Sequence, residues 1–260
     1  MLRRKPEREW ERFGQAEPYY GVLSRERFRR QELNDGTIRE FFQSGEEHVE
    51  FVMRTIRAHV APDFKPARAL DFGCGVGRCT MPIALVSGFA VGADISPSML
   101  REARKRCSEL SLSNLEFVRI TDGFWETAQT FDLIHSSLVF QHIHPRRGEA
   151  IFTRLIHLLE EGGVGCVQFP YERRTRLALR VLGRLRGRLP LLHNLANLVH
   201  GNPFRAPLME KHCYNLNRLI AVLHRNLCGN VHLALHGKGE FGSVVVFFQK
   251  KWEEVPHDRL

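Results

Sequence analysis

The run Ala69-Leu-Asp71-Phe-Gly73-Cys-Gly75-Val-Gly77-Arg78 leaves a short apolar segment and enters a helical one. Its glycines let the backbone turn sharply and approach a ligand closely, because no Cβ stands in the way. Open α/β sheets bind their ligands at loops of this kind, at the carboxyl ends of the strands. The next strand-like run ends at Asp94, 23 residues after Asp71. A carboxylate there accepts hydrogen bonds from the two hydroxyls of a ribose. Together the two features predict an adenosine-containing ligand.

Outward from this loop the pattern alternates. Strands are predicted over 67–72, 89–93, 115–120, 131–136 and 164–169, with helices over about 78–86, 97–110 and 147–160 between them. Strands that recur with helices between them form a parallel sheet covered on both faces. The end of the chain breaks the alternation, because 231–236 and 241–249 read as an antiparallel hairpin around Gly237-Lys-Gly-Glu240. Ahead of the sheet, Val49, Val52, Met53, Ile56 and Val60 fall at helical spacing after Gly45. The expected organisation is a helical extension over 1–44 and one α/β domain over 45–260, carrying a basic helical insert at about 171–205.

The loop chemistry narrows the ligand. A dinucleotide fingerprint is G-x-G-x-x-G with a pyrophosphate on a helix N-terminus, whereas the spacing here is G-x-G-x-G behind an acid, Asp71. An anion there repels a pyrophosphate and suits the ammonium of an amino-acid moiety, which S-adenosylmethionine carries without any phosphate. Asp71-x-Gly73-x-Gly75-x-Gly77 resembles motif I of class I S-adenosylmethionine-dependent methyltransferases, of the small-molecule and glycan kind (type 11/12-like). Asp94-Ile-Ser96-Pro-Ser-Met99 is similar to their ribose-binding strand end and the helix start after it. Phe131-Asp132-Leu-Ile-His-Ser136, Phe140-Gln-His142-Ile and Gly162-Gly163 match the fourth strand and the approach to the fifth. The resemblance covers about residues 45–170 and 213–250. It implies a Rossmann-like seven-stranded sheet, mostly parallel with a reversed C-terminal strand, with helices on both faces and a helical lid.

The candidate cofactor residues are Asp71, Gly73, Cys74, Gly75, Gly77, Asp94, Ile95, Met99, Asp122, Ser136 and Tyr20. Cys74 contributes mainly backbone, Met99 packs against adenine or the core, and Tyr19 and Tyr20 close over the cofactor or staple the extension. The third strand lacks the Gly-Asp that this family often places there. Thr121 or Asp122 is left to meet the adenine amine, with Asp122 preferred. His142 is the candidate catalytic base for a hydroxyl acceptor, and its alternative is to pack the following helix. No metal is expected, because a His142-x-His144 pair lacks further ligands nearby and the six cysteines form no C-x-x-C pair and read as reduced thiols.

Charge is concentrated. Residues 171–190 hold 7 basic and 1 acidic side chain, an excess of +6 within a total of +9. Arg176, Arg180, Arg184 and Arg188 would form one stripe on a helix. Such a stripe suits a solvated lid, a peripheral membrane contact, or an anionic or lipid-linked acceptor. A basic patch on a neutral body disfavours nucleic acid, and the fourth strand is not followed by the Asn/Asp-Pro-Pro-Tyr/Phe motif of amino-methylating nucleic-acid enzymes. An RNA methyltransferase and a non-catalytic binding or assembly protein remain the alternatives to a small-molecule or glycan O- or N-methyltransferase. The charged N-terminus and the lack of a long apolar run predict a cytoplasmic chain.

Overall fold

The computed structural model describes residues 6–126, 129–174, 211–237 and 241–251. Seven strands form one sheet in the order β3-β2-β1-β4-β5-β7-β6. They are β1 (Arg68–Phe72), β2 (Phe89–Asp94), β3 (Leu115–Arg119), β4 (Phe131–Ser136), β5 (Leu159–Arg173), β6 (Cys228–His236) and β7 (Phe241–Lys250). Among the described residues the helices are α1 (Pro6–Ala16), α2 (Pro18–Val22), α3 (Asp35–His59), α4 (Thr80–Val86), α5 (Pro97–Glu109), α6 (Pro145–Leu158) and α7 (Leu216–Arg225). Neighbours from β3 through β5 pair in parallel. β7 alone is reversed, pairing antiparallel with both β5 and β6.

Sequence explains most of these elements locally. β1 is buried along Ala69–Phe72, as a central strand covered on both faces must be. β3 is short, alternates buried Phe117 with exposed Glu116 and Arg119, and forms an edge of the sheet. Charge on a short edge strand discourages pairing with another chain. α5 starts with Pro97 after Ser96, whose hydroxyl accepts from Met99 N–H at 3.2 Å.

Two expectations shift. The helix expected from Gly45 begins at Asp35, because Asn34 caps it: its side chain accepts from Gly36 and Thr37 N–H while Thr37 Oγ1 accepts from Asn34 N–H. Gly45 is therefore inside the helix, where a Cβ would overlap the Arg78 carbonyl. Residues 44 and 45 both lie inside this helix, which crosses close over the loop. β5 also runs beyond 164–169, since its partner β7 continues to pair out to Arg173. The four arginines Arg176, Arg180, Arg184 and Arg188 lie outside the described residues.

The helices cover both faces. α6 and α7 bury Phe152, Leu155, Ile156, Leu219 and Leu223 against β5 and β7. α3 and α4 bury Val52, Ile56 and Ile83 against the other face. Each such side chain contributes about 1.5–3 kcal/mol by leaving water. A third cluster joins Phe13, Tyr19, Phe28 and Phe41 of the N-terminal segment to Met99 and Leu100 of α5. That cluster fixes the N-terminal segment beside the carboxyl ends of β1 and β2.

Candidate active site

The glycine loop closes on itself through main-chain bonds. Gly73 and Cys74 N–H both donate to Ala93 O, at 2.7 and 3.0 Å, and Gly77 N–H donates to Cys74 O at 3.0 Å. Gly73, Gly75 and Gly77 have φ of +77°, +54° and +82°, a region that side-chain-bearing residues rarely adopt.

Asp94 holds this loop to the start of α5. Its Oδ2 accepts from Gly75 N–H at 2.9 Å and its Oδ1 from Ser96 N–H at 2.8 Å. An ionised carboxylate has roughly four acceptor positions, so each oxygen keeps a lone pair for a further donor. Burial pushes the Asp94 carboxyl up to about 6; the Ser96 and Gly75 N–H groups pull it down, and the Asp71 charge adds to the rise. A half-buried acid with spare acceptor capacity at a strand end fits a pair of ribose hydroxyls.

Asp71 does not stand open at the loop mouth. It is 3% exposed, and both oxygens are engaged: Thr80 Oγ1 donates to Oδ2 at 2.6 Å, and His135 Nδ1 lies 2.7 Å from Oδ1. At this exposure it presents little surface to a ligand. Its charge still lies in low dielectric beneath the loop, where it acts over longer range. Arg78, the basic residue of the loop, turns away and donates to Ser44 O at 3.0 Å. Two acids and no loop cation make a poor seat for a pyrophosphate, so the expectation of a non-phosphate ligand now rests on the pair Asp71 and Asp94.

His135 continues the buried polar chain. Its Nε2 lies 3.0 Å from His48 Nε2 on α3. Burial holds His48 well below its usual value, and His135, Arg78 and His236 add to that.

The other candidates divide into two groups. Cys74 is buried in the loop, and Ser136 donates to Phe72 O at 2.9 Å, tying β4 to β1 just before the loop. Ile95 is half-buried next to Asp94. Met99 is buried among the N-terminal aromatics, so its core alternative has direct packing support. Asp122 is exposed on a 3-10 turn and lines a cleft with Trp125, Glu126, Arg154, His157 and Leu158. Ile120 N–H, which donates to Asp94 O at 2.9 Å, holds the approach to that turn beside the end of β2.

Sequence reasoning missed the roof of the site. Glu11 of α1 accepts from Ser96 Oγ, Ser98 N–H and Ser98 Oγ at 2.8, 3.0 and 2.6 Å. One residue earlier, Trp10 meets the His142 ring edge-on with centroids 4.8 Å apart. α1 thus spans from the segment after β2 to the segment after β4, across the loop. Tyr20 is half-buried beneath the Arg29 guanidinium at 4.0 Å, and Tyr19 donates to Glu102 at 2.8 Å. The residue that reaches the loop is Val22. Val139 flanks the loop from the β4 side, where a Cβ on Gly73 would overlap it.

Residues 69–163 match the family model described as a methyltransferase domain. This part of the chain is similar to methyltransferase domains. Trans-aconitate 2-methyltransferase of Rhizobium etli is 34% identical over 146 residues, covering 55% of this chain and 49% of that protein. Aklanonic acid methyltransferase DauC of a Streptomyces species is 35% identical over 102 residues, covering 37% of this chain and 44% of that protein. The chain thus spans about half the length of the curated relatives it matches, or less. The fold also matches magnesium protoporphyrin IX methyltransferase (ChlM) from Synechocystis with bound SAM, at a TM-score of 0.59 and 16% identity, covering 96% of this chain and 100% of that one. The mostly parallel sheet with a reversed β7 agrees with the sequence expectation. Among the described residues no helix is long and apolar enough to cross a membrane.

Proposed function

We propose that this chain is an S-adenosylmethionine-dependent methyltransferase acting on a small acidic acceptor. The observation that carries the cofactor reading is Asp94, half-buried at the end of β2 and held there by Gly75 and Ser96 N–H, one to each oxygen. When bound, the cofactor supplies an activated methyl group on sulfur. The protein's part is then largely orientation and exclusion of water. Asp94 holds ribose hydroxyls, the bare backbone of Gly73–Gly77 admits the amino-acid tail, and α1 with Val22 covers the loop from solvent.

For the acceptor, two observations favour an acid. The segment 171–190, which begins in the last residues of β5, carries the excess of +6. The relatives named above act on acids by name, trans-aconitate and aklanonic acid. A carboxylate oxygen is already nucleophilic at neutral pH, so no base is needed. The second reading, a sugar or glycan hydroxyl, is favoured by His142, which is half-buried next to Trp10 in the segment after β4 and is a residue type that takes protons near neutral pH.

The test is transfer of labelled methyl from S-adenosylmethionine to three acceptor sets: small di- and tricarboxylates, neutral sugars and glycans, and RNA. Label on a carboxylate, in a base-labile ester, is the expected result. Label on sugars alone moves the assignment to the second reading, and label on RNA removes both. Cofactor binding without transfer to any set makes the chain a binding protein.

A further inference from the structure

Three side chains that the methyltransferase reading does not use converge behind the glycine loop. His48 comes from α3, Cys79 from the residue preceding α4 and His135 from β4. One ligand atom from each lies within 4.8 Å of the other two. His48 Nε2 and His135 Nε2 are 3.0 Å apart. Imidazole nitrogens on a tetrahedral ion, each at about 2.0–2.1 Å, would be about 3.3 Å apart.

The surroundings are those of a built site. Cys79 is 5% exposed, and among the described residues its thiol makes no hydrogen bond. His135 points Nδ1 at Asp71, 2.7 Å away, so its Nε2 is the nitrogen left with a lone pair. A carboxylate holding the far nitrogen of a ligating histidine is the usual outer partner at zinc, where it fixes the tautomer and raises ligand basicity. Asp71 is itself held by Thr80 at 2.6 Å. We propose that His48, Cys79 and His135 bind a divalent cation of the zinc class, with Asp71 as the outer carboxylate on His135.

The donor set selects the ion. One thiolate and two imidazoles suit zinc and exclude magnesium and calcium, which take oxygen ligands. Binding replaces the S–H bond of Cys79 with a sulfur–metal bond and releases that proton to the buffer. His48 keeps one ring hydrogen by moving it from Nε2 to Nδ1. The charges then balance locally, a dication against one thiolate and the Asp71 carboxylate. Arg78, the nearby cation, directs its guanidinium to Ser44 O. Three protein ligands leave a fourth position for water or a small anion. The ion would pin α3 to the central sheet and orient the acid beneath the glycine loop.

The experiment is titration of the chelator-treated 260-residue chain with Co²⁺ and then Zn²⁺. The expected result is one equivalent of Co²⁺ giving a near-ultraviolet sulfur-to-cobalt charge-transfer band, displaced by one equivalent of Zn²⁺. Cys79→Ser, nearly isosteric, abolishes the band, while Cys228→Ser, remote from the cluster, retains it. Asp71→Asn, which keeps the size but not the charge, weakens Zn²⁺ binding by about 10–100-fold. Circular dichroism of each variant verifies the fold; should Cys79→Ser fail to fold, His48→Gln, which must lose tetrahedral d–d intensity, takes its place. Absence of a charge-transfer band in folded wild-type protein overturns the proposal. So does a folded Cys79→Ser or His48→Gln variant with unchanged Zn²⁺ affinity. Neither readout depends on methyl transfer, so this proposal and the functional one fail separately.

Discussion

A Cβ added to Gly75 would lie 2.6 Å from Cγ2 of Val22. The N-terminal segment therefore sits directly on the loop that the cofactor must reach, and the loop residue in contact is the one whose N–H binds Asp94. Cofactor access and the position of α2 are linked through this contact.

Gly75→Ala meets two obstacles, the φ of +54° and Val22. The backbone cost is about 1 kcal/mol and the overlap adds to it. Val22→Ala in the same chain should recover the overlap and leave the backbone cost. Thermal denaturation of the two single variants and the double variant measures this. Strict additivity would mean that Val22 does not press on the loop.

Cofactor affinity should rise with pH and level off above about 6. Ribose hydroxyls donate to the ionised Asp94, whose carboxyl is raised to about 6 in the free protein by burial, against the pull of Ser96 and Gly75 N–H. At about pH 5 binding should be about tenfold weaker than at the plateau. Asp94→Asn removes the titration and leaves a weak, flat profile. Calorimetric titration with S-adenosylhomocysteine at several pH values distinguishes the two.

The same acid has the opposite effect on the fold alone. A carboxyl raised on folding holds a proton that the unfolded chain has released between the ordinary value of 3.8 and about 6. Its contribution is fully present below about 4 and is lost as pH rises through 6. Asp94→Asn should therefore be more stable than wild type at neutral pH without ligand, by denaturant titration. A loss of stability there would show that its two main-chain bonds outweigh its burial.

Glu11→Gln should loosen the roof. Glu11 is partly desolvated, which raises its carboxyl, but its Ser98 and Ser96 hydrogen bonds prevail and leave it below 4.5. That stabilisation is present above 4.5 and fades as pH falls through the lowered value. The variant should lose about 1 kcal/mol, as for a lost helix cap, and should bind cofactor less tightly because Ser96 also anchors Asp94. An unchanged affinity would detach α1 from the site.

His142→Ala separates the acceptor readings. With a carboxylate acceptor, kcat should change little. With a hydroxyl acceptor the loss of a general base lowers kcat by about 10²–10⁴-fold.

The sheet is readable because β1, β2 and the middle of β5 are short apolar runs punctuated by glycine or proline, so each declares itself locally. Asp94 was readable for the same reason, lying at the end of one strand at a set distance from the loop. The partner of Asp71 is not legible in the sequence, because His135 is a register neighbour on β4, visible only once β1 and β4 are paired. α3 was cut at Gly45 because glycine breaks helical pattern, whereas here it admits the Arg78 carbonyl. The His48, Cys79 and His135 cluster left no spacing motif, since three elements of different kinds bring it together. The Glu11 and Trp10 contacts were equally silent, being tertiary bonds from a helix whose own sequence looks like a solvated surface.

The position of β7 between β5 and β6 has a consequence for how the chain is made. During synthesis β5 emerges with one flank unsatisfied, and its main-chain donors and acceptors wait until Phe241–Lys250 leave the ribosome. Until then the nascent polypeptide displays a long hydrophobic border of the sort that recruits chaperones or self-associates. Truncations that remove the last twenty or so residues should therefore aggregate rather than yield a smaller folded chain.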